Sequence, residues 1–334
     1  MNTRKAIVQQ IIKSRRTTPK KESGKAFAPS NIALCKYWGK RNLELNLPIT
    51  SSLSVSLAHK GSHAKVTPID AEKHEVFIDN EKLPHEYHYA EKLSSYLDLF
   101  GFNDQSFKLE LNFNIPVASG LASSACCFAS LVKAMDDLYE WEFDGKSLSL
   151  LARLGSGSAS RSVYNGFVEW HHGERPDGMD SYATLINEKW PSLCLGLCII
   201  SKTKKAVSSR EGMQRTVKTS DLYCAWPEKA EKDLVRLKIA IEKKDFDLLG
   251  RIAESNAMAM HATMLAAWPP LLYSQAETIT LMQQVWALRQ GGMSVYFTQD
   301  AGPNLKLLFL ESNLKEIQTN FPTMELIKPF DPNE

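Results

Sequence analysis

No CxxC pair, no GxxxxGK[ST] loop, no GxGxxG turn and no internal repeat occurs in the 334 residues, and no apolar run is long. The longest such run, about Leu193 to Ile200, falls far short of the ~20 residues that a spanning helix needs. A membrane protein is therefore excluded. The six cysteines (Cys35, Cys126, Cys127, Cys194, Cys198 and Cys224) have no paired spacing and no companion histidine cluster. Zinc and disulfides are disfavoured, and buried free thiols in a reducing cytoplasm are expected. Without a P-loop or a dinucleotide fingerprint, any phosphate site must be built by other means. Acid is scarce in one place only. Residues 1–25 hold eight Lys/Arg against the single Glu22, while the remainder carries 32 basic and 37 acidic side chains, a net of −5. Such a body lacks the broad basic surface that nucleic acid requires, so basic sites must be local.

What is present fits a globular chain with 43% hydrophobic and 23% charged residues, long enough for two lobes. "AIVQQIIKSRR" puts Ile7, Val8, Ile11 and Ile12 on one helical face. It fits either a mitochondrial presequence or a short helix or tail resting on the body, the second being the simpler reading. Structure proper is expected from about Ala26. "SLSVSLAH" (52–59), "EVFIDN" (75–80) and "FKLELNFNIP" (107–116) read as strands, and 87–101 as an amphipathic helix. Helical spacing then dominates, with a capping-box pattern at Ser274 and Glu277, before strands at 294–300 and 305–311. The order predicts an α+β chain: a basic extension (1–25), an N-terminal lobe (26–195) and a C-terminal lobe (196–334).

Five stretches could carry chemistry. "NIPVASGLASSACCFASLV" (114–132) runs from strand through turn to helix. Its residues from Ala118 to Ala125 are all small except Leu121, and Ser123 and Ser124 stand side by side. Exposed amides at a helix N-terminus suit a phosphate, although a plain helix cap fits the same residues. "GSGSASRS" (155–162) adds Arg161, whose planar fork matches a carboxylate or phosphate, to what is otherwise a Gly-Ser loop. "APSNIALCKYWGKRN" (28–42) interleaves Lys36, Lys40 and Arg41 with Tyr37 and Trp38. "KTKKAVSSREGM" (202–213) sets bases around Ser208 and Ser209, and "QDAGPN" (299–304) ends a strand on Asp300. Each alone reads equally as a basic loop or a turn aspartate.

Together these stretches resemble the GHMP small-molecule kinase superfamily and, within it, the diphosphomevalonate decarboxylases. "PVASGLASSA" is similar to the superfamily's ATP loop. "NIALCKYWGKRNLELNLPITSSLSVSL", "SGSASRS", "KKAVSSREGM", "MHATMLAAWPP" and "DAGPN" are similar to the decarboxylase branch in order and spacing. The resemblance covers the chain from about residue 26 onward. Residues 1–25, "CCF" after the ATP loop and Trp268 before the Pro-Pro pair depart from it, none at an expected catalytic position.

The resemblance implies a GHMP-kinase-like fold: an N-terminal α/β lobe with a left-handed crossover and a ferredoxin-like C-terminal lobe, facing each other across a deep cleft. It implies a cytoplasmic homodimer using ATP and Mg²⁺ on mevalonate 5-diphosphate, or, alternatively, a decarboxylase or 3-kinase acting on a less phosphorylated mevalonate. Asp300, Arg161 and Lys36 would be catalytic. Tyr37, Ser156, Gly157, Ser158, Lys205, Ser208, Ser209 and Arg210 would hold the substrate. Gly120, Leu121, Ala122, Ser123 and Ser124 would hold ATP, with Ser124 on the metal. His261 lies in a matching motif, but its expected place is the core. A free aspartate, with a pKa near 3.9, is a poor base for an alcohol, so Asp300 is expected to orient the hydroxyl rather than simply deprotonate it.

Overall fold

A computed structural model of the chain describes residues 3–100, 105–115, 123–203 and 205–331. The first lobe comprises α1 (Arg4–Ile12), β1 (Gly24–Cys35), β2 (Lys40–Asn42), β3 (Leu47–Pro48), β4 (Ser52–Ile69), β5 (Glu75–Ile78), β6 (Glu81–Lys82), α2 (His88–Leu97), β7 (Ser106–Phe113), α3 (Ser123–Tyr139), α4 (Gly145–Gly155), β8 (Phe167–Trp170) and β9 (Ala183–Ile186). The second comprises β10 (Leu193–Cys198), α5 (Ser209–Thr219), α6 (Trp226–Lys243), α7 (Phe246–Leu265), α8 (Ala276–Gln290), β11 (Val295–Gln299), β12 (Leu305–Leu310), α9 (Leu314–Asn320) and β13 (Glu325–Ile327).

Among the described residues the first lobe is built on a seven-stranded sheet in the order β6-β5-β7-β4-β8-β9, with β1 also paired to β4. β4 is its spine. β1 lies antiparallel along most of its length, β8 pairs with residues 52–55 and β7 with residues 62–69. Its alternation places Leu53, Val55 and Leu57 on one face and Ser52, Ser54 and Ser56 on the other, yet all six are buried. The serine face is thus not a solvent face, as simple alternation would suggest. It is covered by the segment that carries Arg161.

The second lobe has a four-stranded antiparallel sheet, β11-β12-β10-β13. With one crossover made by α5 to α8 and another by α9, this is the split βαββαβ arrangement of a ferredoxin-like sheet. The sheets change hands between Ile186 and Leu193, so a division at 195/196 cuts through β10. The capping box of α8 sits one residue later than the sequence pattern indicated. Gln275 N donates to Thr278 Oγ1, while Ser274 is drawn off to Gln299 Oε1.

Ordered chain begins well before Ala26. Thr3 caps α1, and Ile7, Val8 and Ile12 are buried in the same apolar cluster as Leu45, Leu47, Leu138 and Trp141. The connection to β1 is tied down as well. Trp141 Nε1 donates to Arg16 O at 2.8 Å, and the backbone amides of Lys20 and Lys21 both donate to Leu138 O. The basic segment rests on the body.

Candidate active site

A cleft of about 350 Å³ opens between the lobes. The end of β1 supplies Asn31, Lys36 and Tyr37; the β2–β3 hairpin supplies Lys40 and Asn46; α2 supplies Lys92 and α3 supplies Ser124. The turn after α4 brings Ser156, Gly157, Ser158 and Arg161, and the start of α5 brings Lys205, Ser208, Ser209 and Arg210. Asp300, just past β11, closes the ring. All of the described residues expected at the site therefore meet in one hollow. Gly120, Leu121 and Ala122 lie outside the described residues, as does the side chain of Ser123, whose backbone opens α3.

Among the described residues Asp300 is the one carboxylate lining this cleft, and two lysines face it. Lys36 Nζ donates to Oδ1 at 2.7 Å, and Lys306 Nζ lies 3.1 Å from Oδ2. Burial pushes the carboxyl up, but Lys306 and Lys36 push it further down, below the usual carboxylate range. Lys36 is 1% exposed. Its amide donates to Asn256 Oδ1 and its ammonium also reaches Ala33 O. Burial lowers its pKa to about 8 although Asp300 pulls the other way. His261 does not merely fill the core. Its Nε2 lies 3.2 Å from Asp300 O, and since a carbonyl only accepts, that nitrogen carries the proton. Burial, aided by Lys36, pushes the imidazole down to about 4, so it stays neutral.

Arg161 is buried with neutral partners. Nη1 donates to Ser52 Oγ at 2.5 Å, Nε to Ser54 Oγ at 3.0 Å and Nη2 to Asn31 Oδ1 at 3.2 Å. The Trp170 ring lies 5.9 Å from its guanidinium carbon. No carboxylate pairs with it among the described residues, and burial lowers its pKa to about 10. A cation buried without a counter-ion is costly, and an anionic ligand would repay that cost. The neighbouring Tyr37 Oη is buried with no hydrogen-bond partner among the described residues, while its ring packs edge-on against Trp170. Gly157 is required here: a Cβ would lie 2.7 Å from Tyr37 Oη and 2.9 Å from Trp170.

The opposite wall is rich in cations. Lys205 Nζ donates to Ser209 Oγ at 2.7 Å and to Ala301 O at 2.6 Å, and burial lowers it to about 8. Lys40 bonds Asn46 Oδ1; burial, with Arg210 and Lys92 nearby, takes it down to about 7. Ser124 Oγ and Ser156 Oγ stand 3.2 Å apart, with Ser158 Oγ 3.4 Å beyond Ser156. Ser208 caps α5 by accepting from Glu211 N. Among the described residues, the cations and clustered hydroxyls of this cleft suit a polyanionic ligand.

Sequence reading missed Lys306, Lys92, Asn46 and Asn256 as neighbours of the site. Only Lys306 left a usable mark, as a lone charge inside the apolar strand "LKLLFL". The others are brought in by long-range packing.

Comparison with known proteins agrees with this geometry. A model of the diphosphomevalonate decarboxylase-like N-terminal domain matches residues 28–183, and one of the mevalonate 5-diphosphate decarboxylase C-terminal domain matches residues 195–328. The Candida albicans diphosphomevalonate decarboxylase is 35% identical over 312 residues, 88% of this chain and 86% of that protein. The Staphylococcus aureus mevalonate diphosphate decarboxylase structure superposes with a TM-score of 0.86 at 37% identity, covering 92% of this chain and 95% of the other. A further structure, 37% identical with a TM-score of 0.84 over 91% of this chain and 95% of its own, holds MVAPP, AMPPCP and magnesium. Two domain models spanning the two lobes, and relatives aligned over nearly their full lengths, place this chain in the diphosphomevalonate decarboxylase family.

Proposed function

We propose that the chain catalyses the ATP-dependent decarboxylation of mevalonate 5-diphosphate to isopentenyl diphosphate. The observation that carries this reading is a buried guanidinium without a counter-ion and a lysine-held carboxylate in one cation-lined cleft. The substrate is a β-hydroxy acid with no carbonyl placed to accept electrons as CO2 leaves. Its tertiary hydroxyl must first become a leaving group. Phosphorylation achieves that, and phosphate and CO2 then depart together from the 3-phosphorylated acid.

The residues divide the work accordingly. Arg161 holds the substrate carboxylate by the open side of its fork, with Ser52, Ser54 and Asn31 fixing the plane. Asp300, kept ionised, accepts a hydrogen bond from the tertiary hydroxyl and orients it, and the hydroxyl proton passes to an oxygen of the phosphoryl group as that group is transferred from ATP. Lys36 lies beside that position and meets the charge that arrives. The diphosphate is held by Ser156, Ser158, Lys205, Ser208, Ser209 and Arg210, with Tyr37 packed on the substrate and Gly157 leaving the room.

No group of three or more His, Cys, Asp or Glu is placed to hold a metal among the described residues. The hydroxyl set of Ser124 and Ser156 nevertheless fits Mg²⁺, which is commonly held by few protein oxygens together with phosphates. Bound there, the ion would neutralise charge on the phosphate being transferred. ATP would lie along the N-terminus of α3, with Gly120, Leu121, Ala122, Ser123 and Ser124 around its phosphates.

A cytoplasmic location accords with six free cysteines, five of them buried. A homodimer accords with the apolar side chains left exposed around Trp268 (75%) and Leu272 (69%). The deciding experiment measures CO2 and ADP release with mevalonate carrying no, one or two phosphates. Both products from the diphosphate alone are expected. ADP without CO2 would make the protein a 3-kinase, and turnover of the monophosphate in preference would reassign the substrate.

A further inference from the structure

The carboxylate at the site has two lysines, and they are not equivalent. Lys36 borders the cleft and stands where a ligand's charge would arrive, while Lys306 does not line the cleft and is 0% exposed. Lys306 lies on β12 opposite Thr298 of β11, on the face that carries Leu308, whereas Leu305, Leu307 and Phe309 fill the apolar layer behind the sheet. It also donates to Asn304 O at 3.2 Å. A buried lysine in an apolar strand is destabilising unless a negative charge accompanies it. Asp300, 3.1 Å away, supplies that charge.

We propose that Lys306 is the positioning residue of this site, its charge 3.1 Å from Oδ2 holding Asp300 in place so that Lys36 can release Oδ1 and turn to the incoming anion. This inference rests on the functional reading above and adds a residue to it. One lysine alone could not both anchor the carboxylate and serve the ligand. With two, Oδ1 becomes available to the substrate hydroxyl at the moment Lys36 leaves it, and the carboxylate neither swings nor takes up a proton. The other groups facing Asp300 leave this role open. His261 of α7 is neutral and engages only the backbone carbonyl. Lys205, before α5, donates to Ala301 O and Ser209 Oγ and makes no ion pair with Asp300. Arg161 is held by Ser52, Ser54 and Asn31.

The test compares wild type with Lys306→Met, Lys306→Gln and Lys306→Arg. Turnover of the Met variant should fall roughly 10²-fold, the scale set by misplacing a positioned group, with KM nearly unchanged. The acid limb of its kcat profile should move up by about one pH unit or more. The Arg variant should recover most of both. In parallel, the ¹³C carboxyl resonance of Asp300, assigned by its loss in Asp300→Asn, should titrate in the Met variant over a pH range in which it stays flat in wild type. If the Met variant does not fold, the Gln variant is read in the same way. A flat resonance with an unmoved acid limb, at any level of stability, would overturn the proposal. Wild-type protein that released no CO2 would instead sink the functional reading, and the resonance would still report on Lys306.

Discussion

Asp300 sits between two ammonium groups and next to a neutral imidazole, a setting that favours a permanent carboxylate over a proton acceptor. Replacing it with alanine should leave mevalonate diphosphate binding intact while lowering turnover by ~10²–10⁴, the span of a positioned acid–base group. A variant within tenfold of wild type would remove Asp300 from the reaction. Arg161→Lys keeps the charge but loses the planar fork matched to Ser52, Ser54 and Asn31, so turnover should drop as well. Unchanged kinetics would reduce its turn to a linker. The lysines give a further expectation. Lys40, Lys36 and Lys205 lose protons near pH 7 to 8 in the free protein because burial disfavours their charge. A bound polyanion restores that charge, so complex formation at pH 8 should take up protons and affinity should fall from pH 7 to 9. Calorimetry in buffers of different ionisation enthalpy reads the proton count directly, and a count of zero would contradict it. The stretches around Asp300, Arg161 and Lys36 stood out by their glycines, prolines and serines, but only the family resemblance gave those residues expected roles. Lys306 left only the mark of a lone charge in an apolar strand, and its partner was hidden, since strand pairing rather than spacing brings that side chain to Asp300.

Elements carry the next set of constraints. The turn after α4 is short because Ser156 leaves the helix in an extended conformation and Gly157 slips beneath Tyr37 and Trp170. That path delivers Arg161 to the serine face of β4. Period-two alternation identified β4 as a strand but gave no sign that its polar side faces a buried guanidinium. Alternation reports only that two faces differ. In the same way, the apolar stripe of α1 was visible in the sequence, and the apolar cluster it joins, shared with Leu45, Leu138 and Trp141, was not. Ile7→Ala should lower stability by about 2–5 kcal/mol, the usual range for truncating a buried isoleucine. Chemical denaturation measures this. A loss within 0.5 kcal/mol would mean that α1 contributes nothing by packing.

At the scale of the whole molecule, the titration of the cleft lysines bears on folding itself. Unfolded lysines keep an ordinary pKa near 10.4, so between pH 7 and that value the unfolded chain binds more protons than the folded one. The ligand-free protein should therefore gain thermal stability as pH rises from 7 to 9, opposite to the trend of its affinity. His261 acts at the other end. Neutral in the fold down to about pH 4, it contributes stability that is complete above pH 6.5 and lost as pH falls through that interval. A melting temperature that falls from pH 7 to 9 would refute the lysine effect.

One apolar cluster runs from Ile32, Leu34, Leu53 and Phe167 of the first lobe to Trp226, Leu237, Met260 and Tyr296 of the second. The two sheets divide between Ile186 and Leu193, but the greasy interior ignores that seam. Halves made as separate polypeptides would each present a raw hydrophobic wall to water and should precipitate or need each other to fold. Grafting one half onto a relative's other half would succeed only where both sides of the shared interior were carried across.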